Sequence, residues 1–181
     1  MRIIAGKYKR TNLNTLEGEL TRPTKDMVKE ALFSSIDINS DTMFLDLFSG
    51  SGAIGLEALS RGAKDCIFND SNKDAVRIIK ENLNKVHENR TVYNLDYVSC
   101  LNRIKGTRFD YIYLDPPYAF GSYISLFHEI VANDLLKESS IIIVEIRKDV
   151  DLNDSIENLK CFKEKKYGIT KIKYYRKEEI I

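Results

Sequence analysis

Apolar residues recur with two different periods along this chain. From Thr42 onward, short apolar runs alternate with amphipathic stretches: Met43-Phe44-Leu45, Ala53 to Leu59, Cys66-Ile67-Phe68, Ala75 to Val86, Thr91-Val92-Tyr93, Val98 to Ile104, Tyr111 to Leu114, Tyr123 to Leu136, and Ile141 to Val144. Runs of three or four apolar residues without polar alternation predict strands buried on both faces, and the longer stretches carry the three-and-four spacing of helices. Strand and helix in alternation predict an α/β, Rossmann-like fold, a mostly parallel sheet with helices on both faces. The end differs: Lys160 to Tyr167 and Ile169 to Tyr175 flank Gly168 and predict an antiparallel hairpin that finishes the sheet. Ahead of the sheet, Ile3, Ile4 and Tyr8 predict a strand or hairpin, followed by a polar loop over 12–18. A helix then opens at Arg22-Pro23-Thr24, with Thr24 as N-cap and Met27, Val28, Ala31, Leu32 and Phe33 as its apolar face up to about Ile36. The expected division is a hairpin-and-helix appendage over 1–40 and a sheet domain over 41–181.

Composition narrows the class. A chain of 181 residues with 43% hydrophobic content buries roughly 70% of its unfolded surface around one core. No apolar run approaches the roughly 18 residues of a membrane span, and Met1 to Gly6 is too short and charged for a signal peptide, so a cytoplasmic protein with no membrane partner is expected. Cys66, Cys100 and Cys161 lack C-x-x-C spacing, and His87 and His128 have no partner at ligand spacing, so neither a disulfide framework nor a metal is expected. The net charge of +1 argues against nucleic acid as a partner, but it conceals a polarised distribution. Residues 2–10 carry Arg2, Lys7, Lys9 and Arg10 with no acid. Residues 160–177 carry eight basic residues against Glu164, and the remainder is acidic. Two basic stripes are what a phosphate backbone requires, and for the carboxyl-terminal one a solvated strand face explains the charge equally well.

Asp46-Leu47-Phe48-Ser49-Gly50-Ser51-Gly52-Ala53-Ile54-Gly55 holds G-x-G-x-x-G between a predicted strand and a predicted helix. In that context the glycines permit a tight turn and close ligand approach, and the helix N-terminus offers free N–H groups. Two acids refine the ligand. Asp46, four residues before the first glycine, repels a pyrophosphate and welcomes a cationic amine, while Asp70 stands where an acid accepts from ribose hydroxyls. Amine, carboxylate and ribose together describe S-adenosylmethionine better than NAD. Asp96, beside Tyr97, is placed either to accept from an adenine amino group or to cap a helix, and the two roles are compatible.

Asp115-Pro116-Pro117-Tyr118 follows an apolar strand at the predicted ligand-binding edge. Consecutive prolines have no N–H, so the segment offers only acceptors: the Asp115 carboxylate and the Pro116 carbonyl. Such acceptors hold the hydrogens of an exocyclic amine and localise its lone pair toward a methyl group, and the carboxylate stabilises the charge that develops on nitrogen. Tyr118 supplies a stacking face, typically worth about 1–3 kcal/mol. Asp followed by Pro also suits an ordinary type I turn. Glu145 either lines the substrate pocket or pairs with a local base such as Arg147, and the pairing is expected. Phe120, Tyr174 and Tyr175 read as core before they read as base platforms.

These motifs together resemble the RsmD-like family of bacterial 16S ribosomal RNA guanine-N2 methyltransferases over nearly the whole chain. The likeness rests on Arg2 to Lys7, on Arg22-Pro23-Thr24 with Val28, Glu30, Leu32 and Phe33, on Asp46 to Gly62, and on Asp115 to Tyr118; Arg10-Thr11 departs from the family's usual Gly-Arg pair. The resemblance implies a seven-stranded sheet, S-adenosylmethionine as donor, and a guanine of 16S rRNA, free or in the small ribosomal subunit, as acceptor. The expected catalytic set is Asp115, Pro116, Pro117 and Tyr118. The expected cofactor set is Asp46, Phe48, Ser49, Gly50, Gly52, Asp70, Ser71, Asp96 and Tyr97. Arg2, Lys7, Lys9, Arg10 and Arg22 are the expected RNA contacts, and a monomer suffices. The competing expectations are an adenine-N6 DNA methyltransferase and a non-catalytic RNA-binding assembly factor.

Overall fold

The computed structural model describes residues 1–18 and 23–179, and the side chains of Pro23 and Thr24 lie outside that description, as does Arg22. The helix α1 runs over Pro23–Phe33. The sheet and its helices follow as β1 (Met43–Asp46), α2 (Ala53–Ser60), β2 (Asp65–Asn69), α3 (Lys73–Lys85), β3 (Val92–Tyr93), α4 (Tyr97–Arg103), β4 (Phe109–Leu114), α5 (Tyr123–Ala132), β5 (Leu136–Arg147), β6 (Ser155–Ile156), β7 (Leu159–Tyr167) and β8 (Thr170–Lys177). Strand order is β3-β2-β1-β4-β5-β8-β7-β6. β1 to β5 are mutually parallel, and β8, β7 and β6 close the sheet antiparallel. The chain proceeds outward from β1 through β2 to β3, then returns to β4 on the other side of β1. The carboxyl ends of β1 and β4 therefore flank the topological switch point, where open α/β sheets bind their ligands.

The helix α1 opens at Pro23, so Thr24 lies within it and not at its N-cap, and two details of the sheet domain also differ from the sequence expectation. The sheet has eight strands where the family resemblance implied seven; the addition, β6, is a two-residue edge whose only apolar residue, Ile156, leaves no periodic trace. The helix expected to reach Leu136 stops at Ala132, where Asn133 caps it and Asp134 turns the chain with φ of 55°. Leu135 and Leu136 continue the helical period, but they are claimed by the strand side of the core. β5 therefore starts at Leu136, and its register with β4 shifts between Phe109 and Tyr111.

Burial on both faces explains the uninterrupted apolar strands. Leu45, Ile112, Leu114, Ile142 and Val144 pack with Leu101, Leu126, Phe127 and Ile130 of α4 and α5. On the other face, Phe44, Cys66, Phe68, Tyr113 and Ile143 pack with Leu32, Leu56, Leu59 and Ile79 of α1 to α3, and with Ile3 and Leu13. The latter two belong to an amino-terminal hairpin closed by Ile3 N–H to Thr11, Arg10 N–H to Ile3 and Leu13 N–H to Met1.

Glu57, fully buried on α2, fastens that hairpin. Its carboxylate accepts the backbone N–H groups of Ile4 and Ala5 at 2.9 and 3.0 Å and the Arg61 Nε at 2.9 Å, and it lies 3.5 Å from the buried Lys29 ammonium. Lys29 in turn donates to the Arg2 carbonyl. The Ser60 carbonyl accepts from Lys7 N–H, and the Ser60 hydroxyl joins Tyr8 N–H to the Ala5 carbonyl. The hairpin is thus seated on the carboxyl-terminal end of α2.

Candidate active site

Alternation along the strands decides what meets at the switch point. Phe44, Tyr113 and Ile143 face α1 to α3. Residues two further along each strand share that face, which brings Asp46, Asp115 and Glu145 together beneath α1. All three line one cavity of about 90 Å³ with Lys25, Ser49, Gly50 and Tyr113. A second cavity, of about 200 Å³, continues from Asp115 and Glu145 past Pro116, Pro117, Tyr118, Tyr123 and Arg147.

The glycine loop builds the first cavity. Gly52, at φ of 79°, opens α2 in the left-handed region, which a side chain rarely adopts. Gly55 serves packing: a Cβ there would stand 2.3 Å from the Phe68 ring and 2.7 Å from the Cys66 sulfur, so only glycine lets α2 lie this close to β2. Asp46 is 1% exposed and its Oδ2 accepts the Gly55 N–H at 3.0 Å, while Oδ1 is buried with no partner among the described residues. Burial, opposed by that hydrogen bond, pushes the Asp46 carboxyl up to about 7. A buried, unpaired acceptor that prefers to be neutral is costly by itself and fits a ligand that brings a cationic amine. The same oxygen would repel a pyrophosphate. The loop therefore fits S-adenosylmethionine.

The remaining sequence-predicted residues fall into place unevenly. Ser49 donates its hydroxyl to the Asp46 carbonyl and its N–H to Asn69, which holds the loop against β2. Asp70 accepts from Gly50 N–H and Asn72 N–H, one on each oxygen, and each oxygen keeps acceptor capacity. Ser71 is exposed beside it and accepts through its carbonyl from Asn94. Asp96 caps α4, accepting from the Ser99 N–H and hydroxyl, bonds that hold its carboxyl below the ordinary value. Phe48, Tyr97, Phe120 and Tyr123 form a contiguous aromatic patch with centroid separations of 5.1 to 6.2 Å, which joins the glycine loop to α4 and α5. Pro116 is buried, whereas Asp115 and Pro117 are exposed and Tyr118 is 79% exposed. The Arg147 guanidinium lies 5.9 Å from the Tyr118 ring.

Glu145 corrects one expectation. It does not pair with Arg147, which pairs with Asp149; it accepts the hydroxyl of Tyr113 and faces the cavity. The sequence allows Glu145 as a pocket residue but favours the Arg147 pairing; Tyr113 and Lys25 fall outside the expected site, because Tyr113 sits in a run that otherwise reads as buried strand and Lys25 on a helix of another segment. The only sequence signal was a charge at the end of a run of four apolar residues.

Of the expected RNA contacts, the described ones, Arg2, Lys7, Lys9 and Arg10, do not line this crevice. Lys7 lies 3.1 Å from Glu88, and Arg2, Lys9 and Arg10 line a groove with Arg61 and Glu30. That groove is at the carboxyl-terminal end of α2, roughly 12 Å along the helix from the glycine loop at 1.5 Å per residue.

The family model described as Conserved hypothetical protein 95 matches residues 1–176. The chain belongs to this family. Its relatives include Bacillus subtilis YlbH, 36% identical over 98% of this chain and 99% of its own. The Ribosomal RNA small subunit methyltransferase D of Haemophilus influenzae is 35% identical over 97% of this chain and 93% of its own. The solved structure of Escherichia coli yhhF superposes with a TM-score of 0.85 at 31% identity, over 98% of each chain. The family likeness carried by the R-P-T segment, the extended glycine loop and D-P-P-Y is therefore correct.

Asp46 yields a prediction about this family's cofactor loop. Because its carboxyl is raised to about 7 in the folded chain against 3.8 ordinarily, the neutral form stabilises the ligand-free fold. That contribution is complete below the unfolded value and is lost as pH rises through about 7. Cationic ligand binding needs the ionised form. Affinity for S-adenosylmethionine should therefore fall as pH is lowered from about 7.5 to about 6, and Asp46→Asn should flatten that dependence and weaken binding about tenfold or more at the upper pH. Isothermal titration across the range checks both.

Proposed function

We propose that the chain transfers a methyl group from S-adenosylmethionine to the exocyclic N2 amine of a guanine in 16S ribosomal RNA, in the cytoplasm. The observation that carries this reading is the meeting of Asp46, with its unpaired buried oxygen, and Asp115 on one cavity at the sheet's switch point. When bound, S-adenosylmethionine supplies an electrophilic methyl carbon on a sulfonium.

The chain's own residues do the rest. Asp46 holds a cationic amine, Asp70 accepts hydroxyls, and the aromatic patch around Phe48 and Tyr97 provides an apolar wall. Asp115 and the Pro116 carbonyl accept the hydrogens of the substrate amine and fix its lone pair, and the Asp115 carboxylate opposes the positive charge that nitrogen acquires. Pro116, buried, anchors this turn, while Tyr118 stands out in solvent as a face for an extruded base. No covalent nucleophile is required, since positioning two reactants supplies most of the barrier reduction.

A ribosomal substrate is favoured over DNA by the relatives named for small-subunit rRNA methylation. The intact acidic crevice favours an enzyme over an assembly factor. Mass spectrometry of 16S rRNA from cells with and without this protein tests the proposal: one guanine should lose a methyl on N2 when the protein is absent. Identical spectra would refute it.

The amino-terminal groove is the proposed secondary RNA contact. Neutralising Lys7, Lys9 and Arg10 together should weaken RNA binding and lower the slope of log affinity against log salt by about two, without changing cofactor affinity. An unchanged slope in a salt titration would assign the groove to another role. In the carboxyl-terminal stripe Lys171 and Lys173 are buried, and Lys173 donates to the Leu152 carbonyl and to Asp154, whereas the other six basic residues are exposed or half-buried.

A further inference from the structure

We infer that Glu145 reads the acceptor base as guanine by accepting its ring N1–H beside Asp115, in the cavity that Asp115 shares with Tyr118. This inference rests on the guanine-methylating reading and adds the residue that selects the base.

Strand register puts the two carboxylates abreast. Leu114 pairs with Val144 across parallel strands β4 and β5, so the next residues, Asp115 and Glu145, stand side by side at the sheet's carboxyl edge. Glu145, Asp115 and Lys25 are the residues common to the two cavities, which places Glu145 at the junction between the glycine loop and the base platform. Glu145 is also held in place. The Tyr113 hydroxyl donates to its Oε2, and burial keeps Tyr113 protonated, so the donor is retained. A carboxylate with one oxygen so engaged retains acceptor sites for a second partner.

Ionised, two carboxylates abreast offer acceptors only; burial raises the Glu145 carboxyl, and the Tyr113 hydroxyl and the Lys25 charge oppose that shift and favour the accepting form. Guanine presents donors along the matching edge, the ring N1–H and the N2 amine, whereas adenine presents a bare N1 lone pair next to its amine. If Asp115 takes the amine, the neighbouring carboxylate meets a donor in guanine and a lone pair in adenine. Sites built to accept a substrate N–H discriminate strongly against analogues lacking it, because the site's own polar group is then left unpaired. The arrangement thus bears on the choice between the two exocyclic amines that D-P-P-Y by itself leaves open.

The probe is 2-aminopurine, which keeps the amine on C2 but has a bare N1. Single-turnover methyl transfer is measured on 16S rRNA carrying either guanine or 2-aminopurine at the mapped acceptor position. The wild type should prefer guanine by about 100-fold or more in kcat/KM. Glu145→Gln, nearly isosteric, can turn an amide N–H toward the bare N1 and should narrow the preference to about tenfold or less. Tyr113→Phe, which unpins the carboxylate without removing it, should give an intermediate ratio. Equal use of both bases by the wild type, or a wild-type ratio in both variants, overturns the assignment while leaving guanine methylation intact. A wild type that methylates neither base overturns the parent reading, and this one with it.

Discussion

Asp115→Ala should lower methyl transfer to rRNA by about 10²–10³-fold or more while leaving the Kd for S-adenosylmethionine within about threefold. The split follows from where the carboxylate stands. Asp115 lies just beyond β4, on the rim shared by the glycine-loop cavity and the larger cavity beside Tyr118. The proposed cofactor contacts come from Asp46, Gly50 and Asp70, at and just beyond the carboxyl ends of β1 and β2, whereas Asp115 follows β4. Its work is confined to the acceptor amine, whose hydrogens it holds and whose developing charge it opposes. Asp115→Asn separates these two contributions. The amide keeps one acceptor oxygen and loses the charge, so a rate between those of wild type and Asp115→Ala is expected, with the loss in kcat larger than in KM. Single-turnover rates with labelled cofactor, alongside calorimetric binding, measure both. Transfer at the wild-type rate by Asp115→Ala would remove the acceptor role altogether.

The largest stability effect is expected at Glu57, remote from the chemistry. Glu57→Ala strips the acceptor from two backbone N–H groups, from Arg61, and from the buried Lys29 ammonium, whose pKa burial already lowers. Breaking a buried ion pair from one side costs about 3–5 kcal/mol, because the remaining charge is left unsolvated. Against a total of about 5–15 kcal/mol for an ordinary domain, that is enough to unseat the amino-terminal hairpin or to prevent folding. Urea unfolding of Glu57→Ala should show the loss, and amide exchange should quicken first at Ile4 and Ala5, whose N–H groups lose their partner. Lys29→Met introduced on top of Glu57→Ala should recover part of the stability, since the stranded ammonium is then gone. Failure of the double variant to improve on the single one would mean that the backbone bonds, not the charge pair, carry the cost.

Most of the fold was legible because two-sided burial leaves a direct trace in sequence: Phe44-Leu45, Cys66-Ile67-Phe68 and Ile142-Ile143-Val144 are apolar at every position because each neighbouring side chain meets a different helical layer. Where local pattern and tertiary demand disagreed, pattern lost. Leu135 and Leu136 fit the helical period of α5, yet they serve the β4–β5 side of the core, and Asp134 turns the chain before them. The candidate site divides in the same way. Asp46, the glycine loop and Asp115-Pro116-Pro117-Tyr118 were visible because each is a compact string whose chemistry follows from neighbours in sequence. Glu57 and Lys29 gave no such signal, since a charged residue on an amphipathic helix reads as solvated unless its partner, decades of residues away, is known.

The amino-acid sequence by itself therefore determined the alternating architecture, the glycine turn between strand and helix, and the presence of Asp46 and of Asp115-Pro116-Pro117-Tyr118 at strand ends. Tertiary structure alone decided that a buried Asp46 oxygen has no partner among the described residues, that Glu145 is held by Tyr113 instead of Arg147, and that Arg2, Lys9 and Arg10 lie at the far end of α2 from the crevice. The physical reason is common to all three. A side chain's type and local periodicity are properties of the chain, but its burial, its partner and its distance from a site depend on which segments the sheet brings together, and strand register fixes those only once the whole fold has formed.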